Sequence, residues 1–381
     1  MLLSGIKHKA GRLLTNYKGW RTNRKIIVIE SDDWGSIRMP SREVYEKCLK
    51  AGYPVDKNSY ERYDSLLSHD DLELLFDLLA SFKDRQGNHP LITANCVVAN
   101  PDFKKIKQNN FQKYYLELIT ETFKRYPRHS NNFKLWQEGT ERGVFFPQFH
   151  AREHLNVSLF MEALQKGDPD ALWGFENGMP GSIAKGAEGL TGNHFVEATR
   201  YNSESDKEQK LEIYLDGLNL FKELFGYTSE SIIPPNYTWS STYNESVSKQ
   251  GVRFFQGNRK MQEPVPGQKP IIHNHYLGQV NSFGQTYLIR NVLFEPSMLK
   301  YRNSDTVNQC LADIDIAFRM NKPAIISCHR INYVGFLDED NRDRTLLYLK
   351  RLLTEALKRW PDIEFLNTCQ LGAAIANCQI Q

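Results

Sequence analysis

Residues 25–34 read KIIVIESDDW, an apolar run of strand length that ends in two adjacent carboxylates, Asp32 and Asp33. Such an unbroken run suits a strand buried on both faces of a parallel sheet. Two further runs end in an ionisable group: GVFFPQFH at 143–150 ends in His150, and PAIISCH at 323–329 ends in His329. In barrels of alternating strands and helices, the loops after the strand C-termini build the active-site face, so groups at three such ends should converge. Other strands are expected at 91–98 (LITANCVV), 231–234, 252–256 and 363–366. Segments of helical period lie between them, at 70–83 (DDLELLFDLLASFK), 111–126, 158–165, 207–225 and 344–359. The alternation predicts an α/β fold of parallel βα units rather than a sandwich.

A chain of 381 residues fits one large barrel with insertions. The barrel domain is assigned to 25–381 and a basic N-terminal arm to 1–24, with Lys7, Lys9, Arg12, Lys18, Arg21 and Arg24. The arm is expected to be solvated, the alternative being weak contact with a membrane surface or an acidic partner. A β-rich insertion is expected near 257–294, where the βα rhythm breaks. A surface loop is expected at 262–270 and an irregular, Gly-rich active-site loop at 177–193. Basic and acidic residues, 48 and 45, are mixed along the chain, so no sustained field would attract nucleic acid. Cys48, Cys96, Cys310, Cys328, Cys369 and Cys378 lack the spacing of a zinc finger or disulfide framework, which points to free thiols in a reducing compartment. No stretch approaches 18 apolar residues, and MLLSGIKHKAGRLL lacks an uninterrupted apolar core with a cleavage site. The expectation is a cytoplasmic protein without a transmembrane segment.

Asp32 and Asp33 point in different directions on an extended or turning backbone, so one can bind metal while the other takes a proton. The plainer alternative is that one of them caps the following segment. His150 and His154 in HAREH stand four apart and share a face if the chain turns helical after the strand. Two histidines, a carboxylate and an open position make a catalytic zinc-type shell. His329 has a side chain whose ordinary pKa suits a general acid near neutrality, against the alternative of a core histidine bonded to backbone. The same HAREH is a literal H-x-x-E-H, which in a metallopeptidase would make Glu153 the base and an acid such as Glu230 the third ligand. That motif needs a helix, whereas Pro147 argues for a strand.

ESDDWGS at 30–36, FHAREHLN at 149–156, IIPPNYTW at 232–239 and His329 in SCHRINYVG resemble the motifs of the polysaccharide deacetylase (NodB-like) family of carbohydrate esterases, over roughly 25–371. The resemblance implies a distorted (β/α)7 barrel of the glycoside hydrolase/deacetylase type. It implies Asp32 as catalytic base, His329 as general acid, and Asp33, His150 and His154 as ligands of one divalent ion, zinc first, with cobalt, nickel or manganese as alternatives. The implied activity removes N- or O-linked acetyl groups from a sugar or polysaccharide precursor. Trp34, Tyr237 and Trp239 beside the motifs are candidates for stacking on sugar rings, and Asn95 and Asn236 for hydrogen bonding to substrate.

The middle motif departs from the family pattern, because no Arg precedes Pro234 and Pro235. In the family that Arg steadies the catalytic carboxylate; Arg152 and Arg290 are the candidates to replace it. The first motif reads Ser-Asp-Asp-Trp-Gly where Thr-Phe-Asp-Asp-Gly is commoner, which implies a divergent branch with a substrate other than a simple chitin oligomer. The missing Arg also suits a catalytically silent carbohydrate-binding barrel.

Overall fold

The computed structural model describes residues 2–180 and 194–379. Thirteen strands are formed among them: β1 (Lys25–Trp34), β2 (Ile92–Val97), β3 (Ala99–Pro101), β4 (Leu116–Leu118), β5 (Phe145–Ala151), β6 (Ser231–Ile232), β7 (Phe254–Gly257), β8 (Lys260–Glu263), β9 (Ile271–Asn274), β10 (Thr286–Ile289), β11 (Val292–Leu293), β12 (Ala324–His329) and β13 (Ile363–Phe365). The main sheet is parallel throughout and runs β10-β7-β6-β5-β2-β1-β12-β11, with β13 paired to the start of β1. Because β10 and β11 are consecutive stretches of one run, pairing with β7 and β12 in turn, the path of strands returns on itself through Arg290 and Asn291. This is the expected βα barrel with seven strand positions. Bonds across its interior prove the curl: Asn95 of β2 and Gln256 of β7 meet at 2.8 Å although β5 and β6 lie between their strands.

The run KIIVIE forms a strand because both of its faces are covered. Ile27 and Ile29 pack with Leu72, Leu75 and Leu79 of the helix His69–Ala80 and with Leu349, Leu352 and Leu353 of the helix Glu339–Arg359. Ile26 and Val28 share a second core with Ile325, Leu371 and Ile375. Each such side chain stabilises the fold by roughly 1.5–3 kcal/mol relative to exposure. Ser68 caps the first helix in a reciprocal bond with Asp71. The helix Glu204–Phe225 starts at the Ser203 cap, ends at Gly226 with φ 77°, and covers β5 by setting Tyr214 edge-on to Phe149 at 5.0 Å. It approaches so closely that a Cβ at Gly217 would lie 2.6 Å from the Phe149 ring.

Four expectations need correction. The β-rich insertion at 257–294 is only the antiparallel hairpin of β8 and β9, which takes in the loop expected at 262–270; the rest, β10 and β11, completes the barrel. The helix expected at 111–126 begins at Ile119, because residues 116–118 pair as β4 with β3 and Asn110 and Phe111 take positive φ. The chain after His150 bends instead of turning helical, and its next helix starts at Val157. Residues Leu2–Tyr17 form a helix docked beside the barrel, not a free arm: His8 and Arg12 both reach Asp313, and Asn16 accepts from Asn291. Of the Gly-rich loop at 177–193, residues 181–193 lie outside the described residues. All six cysteines are free, and no helix among the described residues is long and apolar enough to cross a membrane.

Candidate active site

Two irregular strand ends shape the site. Between Ser31 and Trp34 the register of β1 against β2 slips by one residue, and Asp33 occupies the left-handed region at φ 73°. A bulge of this kind re-aims side chains, and such strain recurs at functional sites. Here it separates the two carboxylates. Asp32 stays in register beside His329 on β12, while Asp33 turns towards β5. The ladder between β2 and β5 slips at the corresponding level, where Cys96 faces Phe149 but Val97 faces Ala151, so His150 sits at a second bulge.

Asp33, His150 and His154 meet. Asp33 Oδ1 lies 3.5 Å from His150 Nε2 and 3.3 Å from His154 Nε2, and the three donor atoms fall within 4.8 Å of one another. His150 donates its Nδ1 proton to the Ile233 carbonyl at 2.7 Å, which fixes the ring with Nε2 towards Asp33. Burial drives the His154 imidazole down to about 3, so it is neutral at physiological pH. Burial alone would raise the Asp33 carboxyl, but His154 and Arg38 outweigh it and hold the group well below its ordinary value. Arg38 Nη2 stands 3.3 Å from Asp33 Oδ2. An ionised Asp33 carboxylate, the neutral His154 imidazole and His150 Nε2, gathered within 4.8 Å, form a donor set that fits a divalent ion of zinc type. His154 Nδ1 is buried without a partner.

Asp32 is held by Arg290. The guanidinium gives Nη1 to Oδ2 at 2.6 Å, Nη2 to Oδ1 at 2.7 Å, and Nε to Glu30 at 2.7 Å. Burial would raise the Asp32 pKa, yet the Arg290 charge and bonds lower it to about 2. Asn95 donates to Asp32 Oδ1 at 2.8 Å, and the chain of contacts continues through Gln256 to Ser231 and Gln148. These residues line the barrel interior, where an unpaired polar group would be expensive.

His329 faces Asp32 at 3.9 Å through Nε2, and its Nδ1 meets Glu295 at 2.5 Å. Burial lowers its pKa, but Glu295 more than compensates and raises it to about 9. The imidazolium therefore persists through neutrality. Asn332 donates to the other Glu295 oxygen at 2.9 Å, and the Tyr60 ring stands edge-on to His329 at 5.4 Å. A pocket of about 230 Å³ opens on this side, with Tyr60, Tyr237, Asn258 and Tyr301 around Arg290, Glu295 and His329. Asp33, His150 and His154 belong to the β1 and β5 side, outside its lining.

Several expected substrate residues lie elsewhere. Trp34 is fully buried against Trp136 and Phe145, with its indole N–H on Ser31, and offers no ring face. Trp239 is buried against Tyr214 and Phe255 and donates to Asn244. Asn95 is fully buried on Asp32, and Asn236 is exposed at φ 56°. Arg152 bonds Glu153 and Asp216, not Asp32; the arginine that bonds Asp32 is Arg290. Tyr237 lines the pocket. Glu153 is locked between Arg152 and Tyr114 in a non-helical bend, and Glu230 pairs with exposed Arg253, so the peptidase arrangement is not assembled. Glu30, Arg38, Gln256 and Glu295 were not singled out in the sequence. Only Glu295 carried a signal there, as an acid directly after LIRNVLF.

No protein-family model matches the chain, and no curated protein sequence matches it. Among solved structures, the chain is similar to a probable polysaccharide deacetylase from Pseudomonas aeruginosa PAO1 at 11% identity and a TM-score of 0.44, covering 93% of this chain and 91% of that one. It is similar to Puue allantoinase at 11% identity and a TM-score of 0.45, covering 93% and 91%. It is also similar to a 4-alpha-glucanotransferase from Thermococcus litoralis at 9% identity and a TM-score of 0.43, covering 91% of this chain and 40% of that longer one. All three likenesses are distant.

Proposed function

We propose that this chain is a metal-dependent hydrolase of polysaccharide deacetylase type, which removes an N- or O-linked acetyl group from a carbohydrate. The observation that carries the reading is the meeting of Asp33, His150 and His154, with an Arg290-held Asp32 on one side and a Glu295-held His329 beyond it. Asp33, His150 and His154 would hold the ion, which when bound supplies Lewis-acid polarisation and a more acidic water. Asp32, ionised above pH 2 and fixed by both guanidinium nitrogens, orients the attacking water and accepts its proton. Its low pKa makes it a weak base, so its contribution lies in position as much as in proton affinity.

His329 carries a proton at Nε2 and lies 3.9 Å from Asp32, where it can protonate the departing nitrogen or oxygen. Glu295 fixes its tautomer and keeps it charged. Tyr60 and Tyr237 give the pocket aromatic walls suited to a sugar ring. The Arg290 contact on Asp32 weighs against the silent-barrel reading, whose support was the missing middle Arg.

The test separates metal binding from proton transfer. Asp32→Asn should keep the ion and lose most acetate release from acetylated sugars, whereas His150→Ala should lose both, read by metal analysis of the purified variants. Equal metal loss in the two would remove Asp32 from the role of base.

A further inference from the structure

The helix Leu2–Tyr17 docks with the wrong face for an ordinary surface helix. An amphipathic helix usually packs its apolar stripe on the core and shows its polar side to water. In this helix His8, Arg12 and Asn16, spaced four apart on one face, hold it to Asp313 and Asn291. Ala10, Leu13, Leu14 and Tyr17 recur at helical spacing on the opposite face, and the last three are 42%, 56% and 66% exposed. The helix is thus anchored through polar bonds and presents its apolar stripe outward.

Charge indicates what covers that stripe. At 100° per residue Lys9 and Lys18 fall on either side of it, and both are exposed. Arg21, just past the helix end, is exposed as well, with its guanidinium bonded to the Met320 and Tyr17 carbonyls. No acidic residue precedes Glu30 in the chain. An apolar stripe edged by cations is the pattern of a helix lying in a bilayer interface, its apolar side chains in the acyl boundary and its lysines reaching the headgroups. A protein partner offering only apolar surface would leave those cations unused.

We propose that the outward face of the helix Leu2–Tyr17 docks the protein on an anionic lipid bilayer, in its plane and without spanning it. Leu13, Leu14 and Tyr17 supply the inserted surface, and Lys9 and Lys18 the electrostatic attraction. The inference is independent of the chemistry proposed for the barrel.

The test is co-sedimentation of the full chain with vesicles of an equal mixture of phosphatidylcholine and phosphatidylglycerol, against pure phosphatidylcholine. Binding is expected on the anionic vesicles only, and it should weaken with added salt. Lys9→Gln and Lys18→Gln should each lower the apparent affinity by about fivefold, the usual effect of one basic side chain near such a surface. Leu13→Glu with Leu14→Glu should abolish it. Both leucines are exposed, so an unchanged thermal transition in that double variant shows that the fold is intact. Failure of the wild-type chain to sediment with anionic vesicles overturns the proposal, as does sedimentation that the leucine substitutions leave unchanged. Light scattering that shows a dimer in wild type and a monomer in the double variant assigns the face to a second copy of the chain and equally overturns it.

Discussion

Arg290→Lys and Arg290→Met test the support of Asp32 most sharply. The guanidinium is buried and meets two buried carboxylates through Nε, Nη1 and Nη2. Holding Asp32 down from 3.8 to about 2 corresponds to roughly 2.5 kcal/mol of preference for its charged form. The folded pKa lies below the unfolded one, so this stabilisation is present above about pH 4 and is lost as pH falls towards 2. Removing the charge with Met leaves Glu30 and Asp32 unpaired in the interior, and breaking a buried pair costs about 3–5 kcal/mol. Burial already raises the Glu30 pKa despite Arg290, so Glu30 can take up a proton and keep the cost within that range. A lysine keeps the charge as a single point and cannot span both Asp32 oxygens and Glu30, so a loss of about 1.5–3 kcal/mol is expected, the value of one charged hydrogen bond. Urea unfolding at pH 7 measures both. The acid limb of kcat/KM should also move upward in each variant as Asp32 regains a higher pKa. An Arg290→Lys protein with wild-type stability and an unmoved acid limb would refute the assignment.

The remaining predictions concern the acid, its alternative and the packing. His329→Ala should lower the rate by about 10² to 10⁴ with little change in metal content, while Glu153→Gln, tied up with Arg152 and Tyr114, should be mild; a peptidase would show the reverse order on a peptide substrate. Because Glu295 raises the His329 pKa to about 9, the pair stabilises fully below about 6.5 and its contribution is lost as pH rises through 9; activity should have an alkaline limb at or somewhat below that value, and Glu295→Gln should move the limb down. Gly217→Ala should destabilise by about 1–3 kcal/mol in urea unfolding, because its Cβ would press on the Phe149 ring and on Arg152.

The strands were legible because a parallel strand buried on both faces keeps an unbroken apolar run, as KIIVIE, LITANCVV and PAIISCH do. Residues at the ends of such runs, Asp32, Asp33, His150 and His329, were legible for the same reason. What escaped was whatever depends on a backbone irregularity or on curvature. By simple alternation Trp34 shares a face with Asp32 and looks available to substrate; the extra residue at Asp33 flips it outward into the core beside Ile27 and Ile29. Arg290 reaches Asp32 only because the barrel closes between β10 and β11, which brings residues 258 apart in sequence into contact. Glu30, Gln256 and Gln148 sit inside otherwise apolar runs, and nothing local distinguishes an inward polar residue from an outward one. The period at 111–118 imitated a helix, but only 116–118 form regular structure, as the strand β4 paired with β3.

The most direct measurement is acetate release from an acetylated sugar by protein stripped of metal and then titrated with zinc. Release should vanish on stripping and return in full at one equivalent of ion, with no return in His150→Ala, since Asp33, His150 and His154 form one donor set within 4.8 Å. Acetate release that survives stripping unchanged, or that zinc restores equally in His150→Ala, would contradict hydrolysis at this site.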